Sequence, residues 1–93
     1  MSGIRKCFLC HRNGAADRLE RHHIFGGANR KLSEKYGLVV DLCGDQCHRG
    51  GKLSAHRSGD TAQRLHQYGQ RKCMDENGLT KEQFKKIFGK NYL

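Results

Sequence analysis

Hydrophobic and polar positions alternate on a short scale in the middle of this chain and on a helical scale toward its end. Leu19 to Phe25 (LERHHIF) carries Arg and His between apolar residues and stops at Gly26-Gly27, which predicts a strand. Leu38 to Leu42 (LVVDL) is short and β-branched and predicts a second strand. Together they make a hairpin with a long basic loop, Ala28 to Gly37, in which Lys31–Lys35 can form a helical turn. Cys43 to His48 then opens a helix that Gly50-Gly51 interrupts. In the last third, Ser58 or Asp60 can cap a helix running to Asn77, with Ala62, Leu65, Tyr68 and Cys73 on one face. Asn77-Gly78 ends it. Thr80 and Gln83 then form a capping box, Leu79 can staple against Phe84, Ile87 and Phe88 extend the apolar face, and Gly89 stops the last helix. Ser2 to Lys6 is a polar lead-in, and Asn13-Gly14 marks a turn. Proline is absent, so turns rest on 12 glycines, and there is no repeat or low-complexity tract.

Composition changes this picture in one respect. A chain of 93 residues predicts a single domain, yet only 35% are hydrophobic and the mean hydropathy is −0.84. A core that thin calls for a staple: a metal, a disulfide or a partner. The start lacks the apolar run of a secretory signal, and no stretch approaches membrane-spanning length. A cytoplasmic setting is therefore expected, where paired cysteines favour zinc over disulfides. Lysine and arginine outnumber acids 18 to 9, a net charge of +9, which favours a polyanionic partner, nucleic acid first.

The five cysteines supply the staple. Cys7-x2-Cys10 has zinc-knuckle spacing, and Cys43-x3-Cys47 is a second pair beyond the hairpin. A tetrahedral zinc on all four thiolates would close this loop, with His48 as the alternative to Cys47 because the second pair is spaced more loosely. Zinc binding contributes roughly 10 kcal/mol or more in small modules, enough to offset a thin core. Cys73 has no partner nearby and reads as a small buried apolar residue.

The histidines define a second candidate site. His22 and His23 are neighbours on a strand, so they face opposite ways and cannot play the same part. One can ligate a divalent metal while the other meets a water or substrate, and a neutral imidazole is well suited to take a proton near pH 7. His48 can reach the same metal if its element crosses the hairpin, and His56 is a third candidate ligand. His11 and His66 read as solvated or core residues. Arg21, Arg30, Lys31 and Lys35 suit sequence-independent phosphate contacts, and Arg49, beside His48, either steadies a phosphate or is a solvated surface residue.

The residues Cys7-x2-Cys10, Leu19-Glu20-Arg21-His22-His23-Ile24, Leu42-Cys43 and Cys47-His48 resemble the HNH, or ββα-metal, nuclease family over roughly the first two thirds of the chain. The run HHIFGGANRKLSEKYGLVV and the ending KIFGKNYL also look like small prophage-encoded HNH-like proteins. The resemblance implies an α+β fold: a zinc-stapled ββα-metal finger at 1–58 and a C-terminal helical extension at 59–93, within one domain. It implies a metal ligand at His22, the general base at His23 and a metal ligand at His48. Two places depart from the family pattern. The usual asparagine near the second strand is replaced by Gly37 or Leu38, with Asn29 in the loop, and Gly26 stands where proline is usual.

The expected function is divalent-metal-dependent endonuclease action on DNA in a bacterial cytoplasm, from a phage or prophage gene. Zinc is structural, and Mg, Mn, Ni or Zn is the catalytic ion. Two rival readings are a non-catalytic zinc-stabilised DNA-binding module and a phage adaptor. The latter would use Phe84, Ile87, Phe88 and Tyr92 on the C-terminal helices as a protein-binding surface. The blander and preferred reading is that these residues simply pack on the ββα unit.

Overall fold

The computed structural model describes residues 5–52 and 54–93; most of the polar lead-in at Ser2–Lys6 lies outside the described residues. The protein is α+β, with one two-stranded antiparallel sheet and helices. In chain order the elements are β1 (Leu19–His23), a 3-10 turn (Gly27–Asn29), α1 (Arg30–Lys35), β2 (Val39–Cys43), a π turn (Gly44–Arg49), α2 (Gly59–Asn77) and α3 (Lys81–Phe88). Backbone contacts divide the chain into two units, and the division does not follow chain order. Residues 1–22 and 39–62 form the first, and 23–38 and 63–93 form the second. The connection between the strands thus groups with the C-terminal helices.

The first unit holds most of the hairpin and both cysteine pairs. The amide of Gly44 donates to the carbonyl of Arg18 at 2.8 Å, closing the open end of the ladder. Cys7 to Arg12 forms a tight knuckle: Cys7 N–H donates to Arg12 O (2.8 Å) and His11 N–H to Cys7 O (2.9 Å). His11 takes φ 66° to close it. Phe8 N–H donates to Asp41 O at 2.8 Å, which ties the knuckle to β2. The helix expected at Cys43–His48 is a single wide turn, in which Gly50 and Gly51 both donate to Asp45 O (2.7 and 2.9 Å). Gly51 has a steric reason to be glycine. A Cβ there would sit 1.9 Å from the Gln46 carbonyl oxygen.

The second unit packs around Phe25. Its ring meets Phe88 at 4.9 Å, Tyr92 at 5.3 Å, His66 at 5.4 Å and Phe84 at 5.6 Å between centroids. β1 was expected to reach Phe25 but ends at His23. Ile24 still donates to Leu38 O at 3.0 Å, but both backbone groups of Phe25 are taken by the buried Ser33 hydroxyl. Phe25 N–H donates to Ser33 Oγ (2.9 Å) and Ser33 Oγ to Phe25 O (2.8 Å). The predicted caps form. Ser58 Oγ accepts from Thr61 N–H, and Thr80 and Gln83 make a reciprocal capping box. Gly89 ends α3 in the left-handed conformation at φ 87°. Phe84 and Phe88 are buried and Ile87 and Tyr92 half-buried, with Phe84, Phe88 and Tyr92 ranged around Phe25. Cys73 is buried on α2, and Asn77 Nδ2 donates to its carbonyl. Among the described residues no helix is long and apolar enough to cross a membrane.

Candidate metal centres

Two groups of potential metal ligands form in the first unit. Cys7, Cys10, Cys43 and Cys47 bring their sulfurs within 4.8 Å of one another, with Cys10 and Cys43 at 3.4 Å. Four thiolates around zinc, at bonds of about 2.3 Å, are spaced by about 3.8 Å, so the donor set fits a tetrahedral ion. The fourth member of the sulfur group is Cys47, and His48 belongs to the other group.

Electrostatics within the sulfur group are uneven. Burial opposes ionisation of Cys7, but amide hydrogen bonds from Cys10, Cys43 and Leu9, with the Cys47 thiol, outweigh it and bring the pKa down to about 6. Burial, followed by the sulfurs of Cys10 and Cys7, pushes Cys43 up to about 12. Burial and the same neighbours also raise Cys47. Four sulfurs crowded this way do not ionise together without a cation, the usual condition of a structural zinc site.

The second group is His22, His48 and His56, whose ring nitrogens also lie within 4.8 Å of one another. Ring centroids are 5.1 Å apart for His22–His48, 5.9 Å for His22–His56 and 4.7 Å for His48–His56. Each comes from a different place. His22 projects from β1. His48 follows Cys47 on the π turn. His56 arrives because the loop after Gly51 folds back, with Ala55 donating to Cys47 O (2.7 Å) and His56 to His48 O (3.1 Å). Three imidazoles and open coordination positions suit a divalent transition metal.

Two acids that the sequence did not single out hold this arrangement. Glu20 lies two residues before His22, so strand alternation puts both on one face. Its Oε1 accepts from His48 Nδ1 at 2.9 Å, which leaves His48 Nε2 as the ligating nitrogen. Its Oε2 pairs with Arg49 at 3.1 Å. Asp17 caps the π turn: Oδ1 accepts from Asp45 N–H (3.1 Å) and Oδ2 from Gln46 N–H (2.8 Å). These amide hydrogen bonds hold the Asp17 carboxyl below the usual range. The i,i+2 rule could have revealed Glu20. Asp17 gives no comparable signal, because its partners lie 28 and 29 residues on.

The remaining predicted residues fall as follows. His23 belongs to the second unit, where its Nε2 donates to Glu34 Oε2 on α1. Arg30, Lys31 and Lys35 are exposed on α1, with Lys35 Nζ 5.5 Å from the Tyr36 ring centroid. Arg21 is exposed on β1. Arg49 is engaged by Glu20, Asp45 and the Gly44 carbonyl, so its first role is to brace the turn. Asn29, which lies in the loop of the family pattern, donates through Nδ2 to Phe88 O at 2.8 Å and ties the loop to the end of α3. His66 is a half-buried core residue stacked on Phe25, its pKa lowered by burial and then by Lys90.

No protein-family model matches this chain, and no curated protein or solved structure matches it significantly. The class that fold and sites define is an α+β protein with a tetracysteine group able to hold a structural metal such as zinc.

Proposed function

We propose that the protein is a divalent-metal-dependent endonuclease of the HNH type acting on DNA. One observation carries this: three histidines from β1, the π turn and the returning loop converge on one point, next in sequence to a tetracysteine group. The HNH-like motifs and the net charge of +9 support the same conclusion.

His22, His48 and His56 would hold the ion, which supplies Lewis-acid stabilisation of the charge developing on the scissile phosphate. His23, the residue after His22 on β1, takes a proton from water as general base. The resulting hydroxide attacks phosphorus in line, and the 3′ oxygen departs as the P–O bond breaks. Glu20 fixes the His48 ring so that Nε2 faces the ion. Arg21, Arg30, Lys31 and Lys35 meet backbone phosphates without reading sequence. Such a protein works in the cytoplasm of a bacterial cell and has a phage or prophage origin.

The test is plasmid nicking with Mg, Mn, Ni or Zn. His23→Ala should lower kcat by at least about 100-fold, the usual contribution of a general base, with zinc content unchanged. Equal cleavage by both proteins would remove His23 from the role of general base, and no cleavage with any ion would leave a non-catalytic zinc module that binds DNA.

A further inference from the structure

We infer that Glu34 is a positioning residue for His23, fixing the ring so that Nδ1 is the proton-accepting nitrogen; this rests on His23 being the general base proposed above. His23 Nε2 points at Glu34 Oε2. A carboxylate only accepts, so Nε2 carries the hydrogen and the neutral ring keeps its lone pair on Nδ1. The bland alternative is a surface ion pair, which contributes little because both side chains are free to move. That does not describe this pair, since the His23 side chain is only 14% exposed while Glu34 is 46% exposed.

The backbone that carries the carboxylate is also held. Glu34 follows Ser33, which is fully buried. Ser33 Oγ accepts from Phe25 N–H (2.9 Å) and donates to Phe25 O (2.8 Å), and Ser33 O accepts from Leu38 N–H (2.7 Å). Phe25 lies two residues after His23. The two hydrogen bonds of the Ser33 hydroxyl therefore clamp α1 onto the segment leaving β1, with Glu34 next to the clamp on α1 and His23 two residues before it on the other segment. Phe25 is itself fixed by four rings. A catalytic ring needs this kind of support, because a shift of about 1 Å can cost 100-fold in rate.

The experiment uses the full zinc-loaded chain and two readouts. Nitrogen-15 NMR of the His23 ring should find a downfield, exchange-protected proton on Nε2. Glu34→Gln should retain it, since the amide oxygen still accepts; Glu34→Ala should lose it. In plasmid nicking, Glu34→Ala should lower kcat at least about 10-fold with KM for DNA unchanged, and Glu34→Gln should stay within about 3-fold of the parent. A protected proton on Nδ1, an unchanged ring signal in Glu34→Ala, or a lost signal with unchanged kcat would each overturn the assignment. If the parent protein does not nick at all, the nuclease proposal fails, while the ring signal still reports whether Glu34 sets the tautomer. Glu34 is partly exposed and outside the core, and zinc content of each variant checks folding.

Discussion

Glu20 and Asp17 are small acidic residues that organise the chemistry around them. Glu20 is the closer to function, because its hydrogen bond to His48 Nδ1 chooses which nitrogen faces the histidine cluster. Outer carboxylates of this kind are typically responsible for 10- to 100-fold in metal affinity. Glu20→Ala should therefore weaken divalent-ion binding at the three histidines by about 10- to 100-fold while leaving the cysteine-bound zinc in place. Titration calorimetry with Mn or Ni on the zinc-loaded chain measures it, and unchanged affinity would show that His48 is oriented by its turn alone. His22, His48 and the four cysteines were visible in the sequence because ligand types clustered at telling spacings. Glu34 was not, because its pairing with His23 depends on how α1 docks, and nothing in the run RKLSEK announces that.

The elements differ in how far local sequence decides them. α3 is encoded almost completely in its own residues: Thr80 and Gln83 cap it, Phe84 and Phe88 set its buried stripe, and Gly89 ends it at positive φ. The C-terminal limit of β1 is decided by tertiary context, since the buried Ser33 captures Phe25 and ends the ladder two residues early. The π turn also depends on partners outside itself, on Asp17 below it and the returning loop above. α2 carries a sharper constraint at Gly69. A Cβ there would lie 2.7 Å from Ile24 Cγ2 and 2.9 Å from Phe25 Cε2. Alanine in a helix interior gains about 1 kcal/mol over glycine, whereas overpacking costs about 1–3 kcal/mol. The Ile24 and Phe25 side chains are buried and held by the surrounding rings, so the cost should win. Gly69→Ala should lower the urea midpoint of unfolding, with a net loss of up to about 2 kcal/mol of stability; a gain in stability would mean that the Phe25 cluster can shift.

At the scale of the whole molecule, the first unit depends on thiol ionisation and the second on aromatic packing. Cys7 is depressed to about 6 from a usual thiol value of 9.0, so its ionisation stabilises the metal-free fold fully above pH 9 and is lost as pH falls through 6. Cys43 has the opposite sign. Its pKa is raised to about 12, so the neutral thiol is favoured and that contribution is lost as pH rises above 9. At pH 7.5, zinc binding to the reduced chain should thus displace protons from Cys43 and Cys47 but almost none from Cys7. Calorimetry in buffers of different ionisation enthalpy should find about one proton fewer released per zinc at pH 7.5 than below pH 6. Equal release at both would mean that the metal-free cysteines behave as ordinary thiols.

Sequence alone determined the strand–loop–strand order, the two C-terminal helices and the candidate cysteine and histidine groups, because these follow from periodicity, capping chemistry and spacing along the chain. Only the tertiary structure decided that His56 joins His22 and His48, that Glu20 and Asp17 support the turn, and that Glu34 holds His23. Those contacts join residues 8 to 34 positions apart, and no local preference of the backbone encodes a distance of that kind.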